Sequence, residues 1–278
     1  MDQTYILTFI IIGITAFITN KGLKEFSFKR KYLFQTGSIL NKKEYIRLFS
    51  SGFLHADWTH FMFNMLSLYF LGSVLEKVIG IPLYALVYIV SLLGGNLFSL
   101  YLNRNNSNYA ALGASGAVSG VIFATIGLIP DMPLNLLFLP RKFGFPAWVY
   151  AILFVGYSIY GMKAKNDNIG HDAHLGGAIA GLLTAIVIKP QIIFTNWLPI
   201  VLSLVPTIIF LVLLLKKQNK VFTTPFKKQK GYMTIDDQFN ERKAKNQHEL
   251  NQLLDKVGKV GYDKLSSKEK QRLKDLSE

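Results

Sequence analysis

Four of the five histidines in this chain fall in two close pairs, His55 with His60 and His171 with His174, while His248 stands apart near the C-terminal end. Between the pairs lies Ser115, inside the run Gly113-Ala114-Ser115-Gly116. A serine hydroxyl is a poor nucleophile until a base takes its proton, and the oxyanion formed on attack must meet donors already in place. These residues can supply all three parts. Ser115 offers the nucleophile and a histidine the base. His174 is followed by Gly176, Gly177 and Gly181, and Ser115 by Gly116 and Gly120. Small-residue stripes of this kind let two membrane helices approach closely, which selects His174 as the partner of Ser115. His60 and Asn64, four apart on one helical face, both donate hydrogen bonds and can aim at an oxyanion, with the Ser115 backbone amide completing the hole. The same histidines, spaced H-x4-H and H-x2-H, also suit a metal, as in a zinc protease or a metal transporter. Against that, H-E-x-x-H is absent and no glutamate lies beside either pair to activate a metal-bound water.

The elements that hold these residues are apolar. Of 278 residues, 50% are hydrophobic and 17% charged, there is no cysteine, and the mean hydropathy is +0.28. This excludes a disordered or disulfide-stapled chain and departs from the roughly 25% charge of soluble domains. Uncharged runs extend approximately over Thr4 to Thr19, Trp58 to Leu75, Ile79 to Leu102, Ala110 to Ile129, Ala147 to Met162, Ala173 to Ile188 and Trp197 to Leu215. Runs near 20 residues cover a hydrocarbon core about 30 Å thick, so an all-α, polytopic membrane bundle with seven candidate spans is expected. The run from Ala147 is short, and the last carries Pro199 and Pro206. No basic residue precedes the first run and no small-residue cleavage pattern follows it, so a signal peptide is not expected. Both histidine pairs and Ser115 open spans separated by an even number of crossings and therefore share one face. An ordinary buried serine packs, and an ordinary buried histidine bonds a neighbouring helix. Their joint occurrence at one depth is what points to catalysis.

Charge divides the chain at Lys216. Residues 1–215 hold 15 Lys+Arg and 8 Asp+Glu, and residues 216–278 hold 16 and 9, the same excess in about a quarter of the length. The run KKQNKVFTTPFKKQKGY reads as a basic linker suited to anionic lipid head groups. Ile235 to Lys256 reads as a surface helix, Gly258 to Asp263 as a turn, and a closing helix follows with Ser266 or Ser267 as N-cap and Glu269 placed for a capping box. Interleaved aromatics and nucleic-acid motifs are lacking, so nucleic acid is not an expected partner.

Taken in order, HADWTHFMFN (His55, His60, Asn64), GASG (Gly113 to Gly116) and HDAHLGGAIAG (His171, His174, Gly177, Gly181) resemble the three signature blocks of the rhomboid intramembrane serine proteases. The resemblance covers about residues 1–190. It implies a six-helix core with a Ser–His dyad sunk in a water-filled cavity, Ser115 as nucleophile, His174 as general base, and His60 with Asn64 at the oxyanion. It further implies supporting roles for His55, Gly113, Gly116 and Gly177, structural roles for Arg47 and Glu76, no metal and no cofactor. The added helix at 191–215 is similar to the six-plus-one subclass, with 216–278 as a helical soluble tail. Two positions depart from the pattern. Ile46 replaces the tryptophan of the first-loop pair, and Ser119 stands where many members stack an aromatic ring under the imidazole.

The resemblance implies transmembrane proteins as substrates, membrane lipids as surroundings, and lateral access beside the short fifth span near Phe145 to Tyr150, with Phe145 and Trp148 as gate residues. It also implies the cell membrane as location, with the catalytic face outside the cytoplasm. The lysine and arginine count runs the other way. The first loop alone carries eight on the catalytic side, against Lys77, Arg141, Lys142 and Lys189 on the other. An inactive rhomboid-like protein that binds client helices is the remaining alternative, although such relatives usually lose the serine or the histidine.

Overall fold

The computed structural model describes residues 5–134, 144–164, 170–221, 249–250, 252–258 and 261–277. Its larger unit ends at Lys228 and the smaller begins at Gln229. In chain order the larger unit comprises α1 (Ile6–Lys24), α2 (Phe26–Tyr32), β1 (Phe34–Gln35), α3 (Thr36–Lys42), α4 (Arg47–Ser50), α5 (Trp58–Ile79) and α6 (Ile81–Asn103). After these come β2 (Ala110–Ala111), α7 (Ser115–Leu128), β3 (Pro133–Leu134), β4 (Phe145–Pro146), α8 (Ala147–Ala164), α9 (His171–Ile188), α10 (Ile192–Thr195) and α11 (Trp197–Val221).

This is an all-helical polytopic membrane bundle. Among the described residues two antiparallel ladders of two residues each are added, β1 with β2 and β3 with β4. Among the described residues α1, α5, α6 and α9 are long and apolar enough to cross a bilayer, whereas α7 and the apolar stretches Ala147–Met162 and Trp197–Phe210 are shorter. The expected run from Ala110 enters helix only at Ser115. Residues Ala110 and Ala111 pair with the first loop, and Gly113 adopts φ 132°, a region that favours glycine.

Burial inverts the soluble pattern. On α1 the inward face is Thr8, Ile11, Thr15, Thr19 and Gly22, while Phe9, Ile10, Ile14 and Phe17 point outward, Phe17 being 71% exposed. A helix that shows water its largest apolar side chains is built for lipid. In contrast α7 is buried at every position from Gly116 to Gly127. The bundle closes around it, and α9 lies in turn between α6 and α7. Gly94 faces Ala180, Gly95 faces the Ala173 carbonyl, and Gly176 faces Phe98. Asn196 donates from Nδ2 to the Gly127 carbonyl at 2.9 Å, satisfying one of the carbonyls left over at the C-terminus of α7.

Among the described residues, Tyr5 at the N-cap of α1 makes no side-chain capping bond. Glu76, near the end of α5, caps the helix instead. Its carboxylate accepts from the Leu7 and Thr8 amides, each at 2.9 Å, and from the Thr8 hydroxyl at 2.6 Å. A buried anion on two orphan amides at a helix N-terminus offsets both its own desolvation and theirs. This gives physical content to the structural role expected of Glu76. Glu76→Ala should destabilise the bundle by about 2–3 kcal/mol, the scale of a lost buried charged hydrogen-bond set. Thermal melting in detergent would register the loss, with the properties of the remaining folded protein unchanged because Glu76 lies at the end of α5 away from Ser115.

The smaller unit, by itself, has helical residues at 249–250 and 252–258, a tight turn at Tyr262–Lys264, and α12 (Ser267–Ser277). Leu253 and Leu265 are its buried apolar residues. Ser266 is the N-cap. Its Oγ accepts the Glu269 amide at 3.3 Å, and Glu269 accepts the Ser266 amide at 2.9 Å, completing the capping box. Lys256, together with Ser266, holds the Glu269 carboxyl down at about 2. Because the folded value lies below the unfolded one, this contribution is full above about pH 4.5 and is lost as pH falls toward 2. Amide-exchange protection across 267–277, referenced to intrinsic exchange at each pH, should therefore decline through that window in the full-length protein and decline less in Glu269→Gln. The expected break at Lys216 is not observed, since residues 216–221 of the basic linker continue α11; the rest of the linker and most of the expected helix from Ile235 lie outside the described residues.

Candidate active site

The turn before α7 is set by its neighbours. Gly113 donates its amide to the Ser51 carbonyl at 3.0 Å, and Ala114 donates to His55 Nε2 at 3.4 Å. A ring nitrogen that accepts an amide carries no proton, so the His55 proton sits on Nδ1, which lies 2.9 Å from the Thr19 hydroxyl. Thr19 passes its own hydrogen to the Phe53 carbonyl at 3.2 Å. His55 is fully buried, and burial, followed by the neighbouring His60, holds its imidazole far below 6.5, at about 3. It is a fixed neutral support for the turn rather than a proton carrier.

The first turn of α5 presents His60. Asp57 caps that helix by accepting the His60 amide at 2.7 Å. The His60 ring meets His55 edge to face at 4.9 Å and lies over Gly113. A Cβ at Gly113 would sit 2.8 Å from His60 Cε1 and 3.7 Å from Ser115 Oγ. Only glycine leaves room there for His60 beside the serine. Asn64, one turn on, is buried and donates one amide hydrogen to the His60 carbonyl at 2.9 Å, so one hydrogen of its amide remains for another acceptor.

Backbone contact of α7 with α9 brings the first turn of α9, which carries His174, against the first turn of α7. A Cβ at Gly116 would lie 3.2 Å from the Ala173 carbonyl oxygen, one at Gly120 2.6 Å from that of Gly177, and one at Gly177 or Gly181 would fall on the carbonyls of Gly116 or Gly120. Ser115 and His174 thus stand on adjoining first turns of two helices whose backbones touch. An α7 of 14 residues rises only about 21 Å, less than the α6 and α9 it packs against.

Sequence reasoning leaves the His174 ring without an aromatic neighbour because residue 119 is serine. Ser119 turns instead to the Ser115 carbonyl at 2.7 Å, and the ring comes from another helix: Phe154 of α8 lies 5.8 Å from His174 at 33°. Nothing in the local spacing around Ser115 signals a residue 39 positions away. The same contact moves the expected gate. Phe154 meets His174, and His171 packs edge to face on Tyr157 and against Gly161. Phe145 and Trp148 lie at the opposite end of α8, where the Ala147 and Trp148 amides bond Met132 and Pro130 beyond the C-terminus of α7. Antiparallel α7 and α8 put residues just after Ala147 as far from Ser115 as the bundle allows, so those two residues do not flank the site.

Arg47 is buried in the first loop. It pairs with Glu44 at 2.6 Å and donates to the Arg30 and Leu33 carbonyls at 2.9 and 2.8 Å. Ile46 beside it is 59% exposed. Among the described residues no three His, Asp or Glu side chains converge as a metal-holding group. A groove of about 310 Å³, lined by Trp58, Thr59, Met62, Phe63 and Leu66, opens on the outer face of α5 at the depth of His60 and Asn64.

Residues 42–191 match the Rhomboid domain. The chain belongs to the rhomboid family. Similar proteins include the RHOMBOID-like protein 1 of Arabidopsis thaliana, 34% identical over 160 residues, which are 57% of this chain and 39% of that protein. The mitochondrial Rhomboid protein 1 of Saccharomyces cerevisiae is 30% identical over 184 residues, 64% of this chain and 51% of the relative. The Rhomboid protease GluP of Bacillus subtilis is 29% identical over 181 residues, 65% and 32% of the two chains. The chain thus spans about half or less of the length of these rhomboid relatives. Residues 233–278 match a family of unknown function (DUF6576).

Proposed function

We propose that this rhomboid-family chain is an intramembrane serine endopeptidase that cleaves transmembrane segments of other membrane proteins. The observation that supports this reading is the backbone contact of α7 with α9, the two helices whose first turns carry Ser115 and His174. Ser115 Oγ attacks the scissile carbonyl while His174 takes its proton. The oxyanion is met by the Ser115 amide, His60 and the free amide hydrogen of Asn64. His174 then gives the proton to the leaving amine, and water clears the acyl-enzyme by the same path in reverse. A helical peptide bond is shielded, so a substrate segment weakened by small residues must unwind to reach the serine. Access is lateral, beside the half of α8 that carries the exposed Tyr157 and Tyr160 and near the outer groove of α5.

In this reading residues 1–190 form the protease core, α11 supplies a seventh crossing within 191–215, and 216–278 form the tail. The protein lies in the cell membrane with its catalytic end outside the cytoplasm. Its partners are transmembrane substrates and lipids, with no nucleic acid and no cofactor. The test is purified full-length protein in liposomes with a glycine-containing model transmembrane substrate. The expected result is cleavage indifferent to chelator, with covalent labelling of Ser115 by a fluorophosphonate. Chelator-sensitive cleavage without labelling would assign the histidines to a metal. Binding of the substrate with neither cleavage nor labelling would make the protein a client binder.

A further inference from the structure

Asp172 lies between the two histidines of α9, in its first turn, and is buried. Four donors converge on its carboxylate. Ser99 Oγ reaches Oδ2 at 2.9 Å and Asn103 Nδ2 reaches the same oxygen at 2.7 Å, both from the last turns of α6. The Tyr109 hydroxyl reaches both oxygens at 3.3 Å, and the Ala173 amide reaches Oδ1 at 2.9 Å. A buried carboxylate with this many donors and a helix N-terminus behind it is well compensated and rigid. Burial, then the adjacent carboxylate, drives the Tyr109 phenol above its ordinary range, so it stays a donor.

What Asp172 joins is the point. Tyr109 stands four residues before Gly113 in the segment that leads to Ser115, and that segment is fixed to the first loop through the Tyr109 and Ser107 carbonyls and the β1–β2 ladder. His174 stands two residues after Asp172. One carboxylate therefore ties the segment carrying the serine to the helix carrying the histidine, independently of the glycine contact between α7 and α9. We propose that Asp172 is a positioning residue for the Ser115–His174 pair, acting through Tyr109 and the first turn of α9. It touches no reacting atom. This inference rests on the protease reading above.

The test uses full-length protein in liposomes and three variants. In Asp172→Asn the new amide confronts donors on Asn103 and Ser99. Turnover should fall on the order of 10- to 100-fold, the scale of a displacement of about 1 Å in a reacting pair. KM should be little changed, and fluorophosphonate labelling of Ser115 per folded molecule should slow by the same factor as turnover. Tyr109→Phe removes one donor, keeps the ring, and should slow both rates several-fold. The exchange Asn103→Asp with Asp172→Asn reverses the 2.7 Å hydrogen bond and should recover most of the loss. Wild-type labelling and turnover per folded molecule in both single variants would overturn the proposal and leave Asp172 a packing residue. If Asp172→Asn does not fold, Tyr109→Phe decides by the same two rates. If the wild type is neither labelled nor active, the protease reading itself fails and this proposal with it.

Discussion

Alanine at Ser115 should lower cleavage by at least about 10⁴-fold, alanine at His174 by a similar factor, and the double variant by no more than either alone. Nucleophile and base act as one unit, so removing either abolishes the same step, and the second removal finds nothing left to lose. His60→Ala should cost less, about 10²- to 10³-fold, because it removes one donor to the oxyanion while the Ser115 amide and Asn64 remain. Rates of model-substrate cleavage in liposomes, normalised to folded protein, measure all four. Neither catalytic substitution should lower the melting temperature much, since α7 and α9 are held by glycine contacts that Ser115 and His174 do not make. Independent, multiplying losses would mean that the serine and the histidine serve separate steps. Cleavage surviving Ser115→Ala would remove the serine from the chemistry altogether.

Much of this arrangement is legible in the residues because membrane helices obey few rules. Length and apolarity mark the helices, and small residues mark where two of them touch. Gly116, Gly120, Gly177 and Gly181 therefore place the helix that opens with Ser115 against the helix that carries His174 without any knowledge of the loops. Local chemistry is legible too. Ser266 and Glu269 form the capping box that their spacing announces. What is not legible is any contact made by side chains far apart in the chain whose types are common. Phe154 is one of 21 phenylalanines, and nothing distinguishes it until α8 is laid against α9. Glu76 as the cap of α1 joins residues 69 apart, across two helix ends that sequence treats separately. The gate is misplaced for a related reason. A span shows where a helix is but not which of its ends meets the site, and the direction of α8 follows only from counting crossings. The sequence offers Asp172 only neighbouring backbone as a partner, because three of its four donors lie 63 to 73 positions away.

The glycine contact makes the second large effect. Gly177→Ala and Gly181→Ala should each reduce cleavage about 100-fold and destabilise the bundle by roughly 1–3 kcal/mol, the usual cost of overpacking a closed interior. In either variant the new methyl group falls on a carbonyl oxygen of α7, that of Gly116 or of Gly120, and backbone cannot swing aside as a side-chain tip can. Relief requires α7 and α9 to separate along the line that joins Ser115 to His174. The lost activity and the lost stability therefore share one displacement. Gly13→Ala and Gly156→Ala are the controls. A Cβ at either position meets nothing within 4 Å, and both variants should melt and cleave as the wild type does. A larger residue such as leucine at Gly181 should prevent assembly. The alanine series is thus the informative one, because it leaves folded protein whose rate can be measured. If alanine at Gly177 were as harmless as at Gly13, the two backbones would not be in contact, and the proximity of Ser115 to His174 would lose its physical basis.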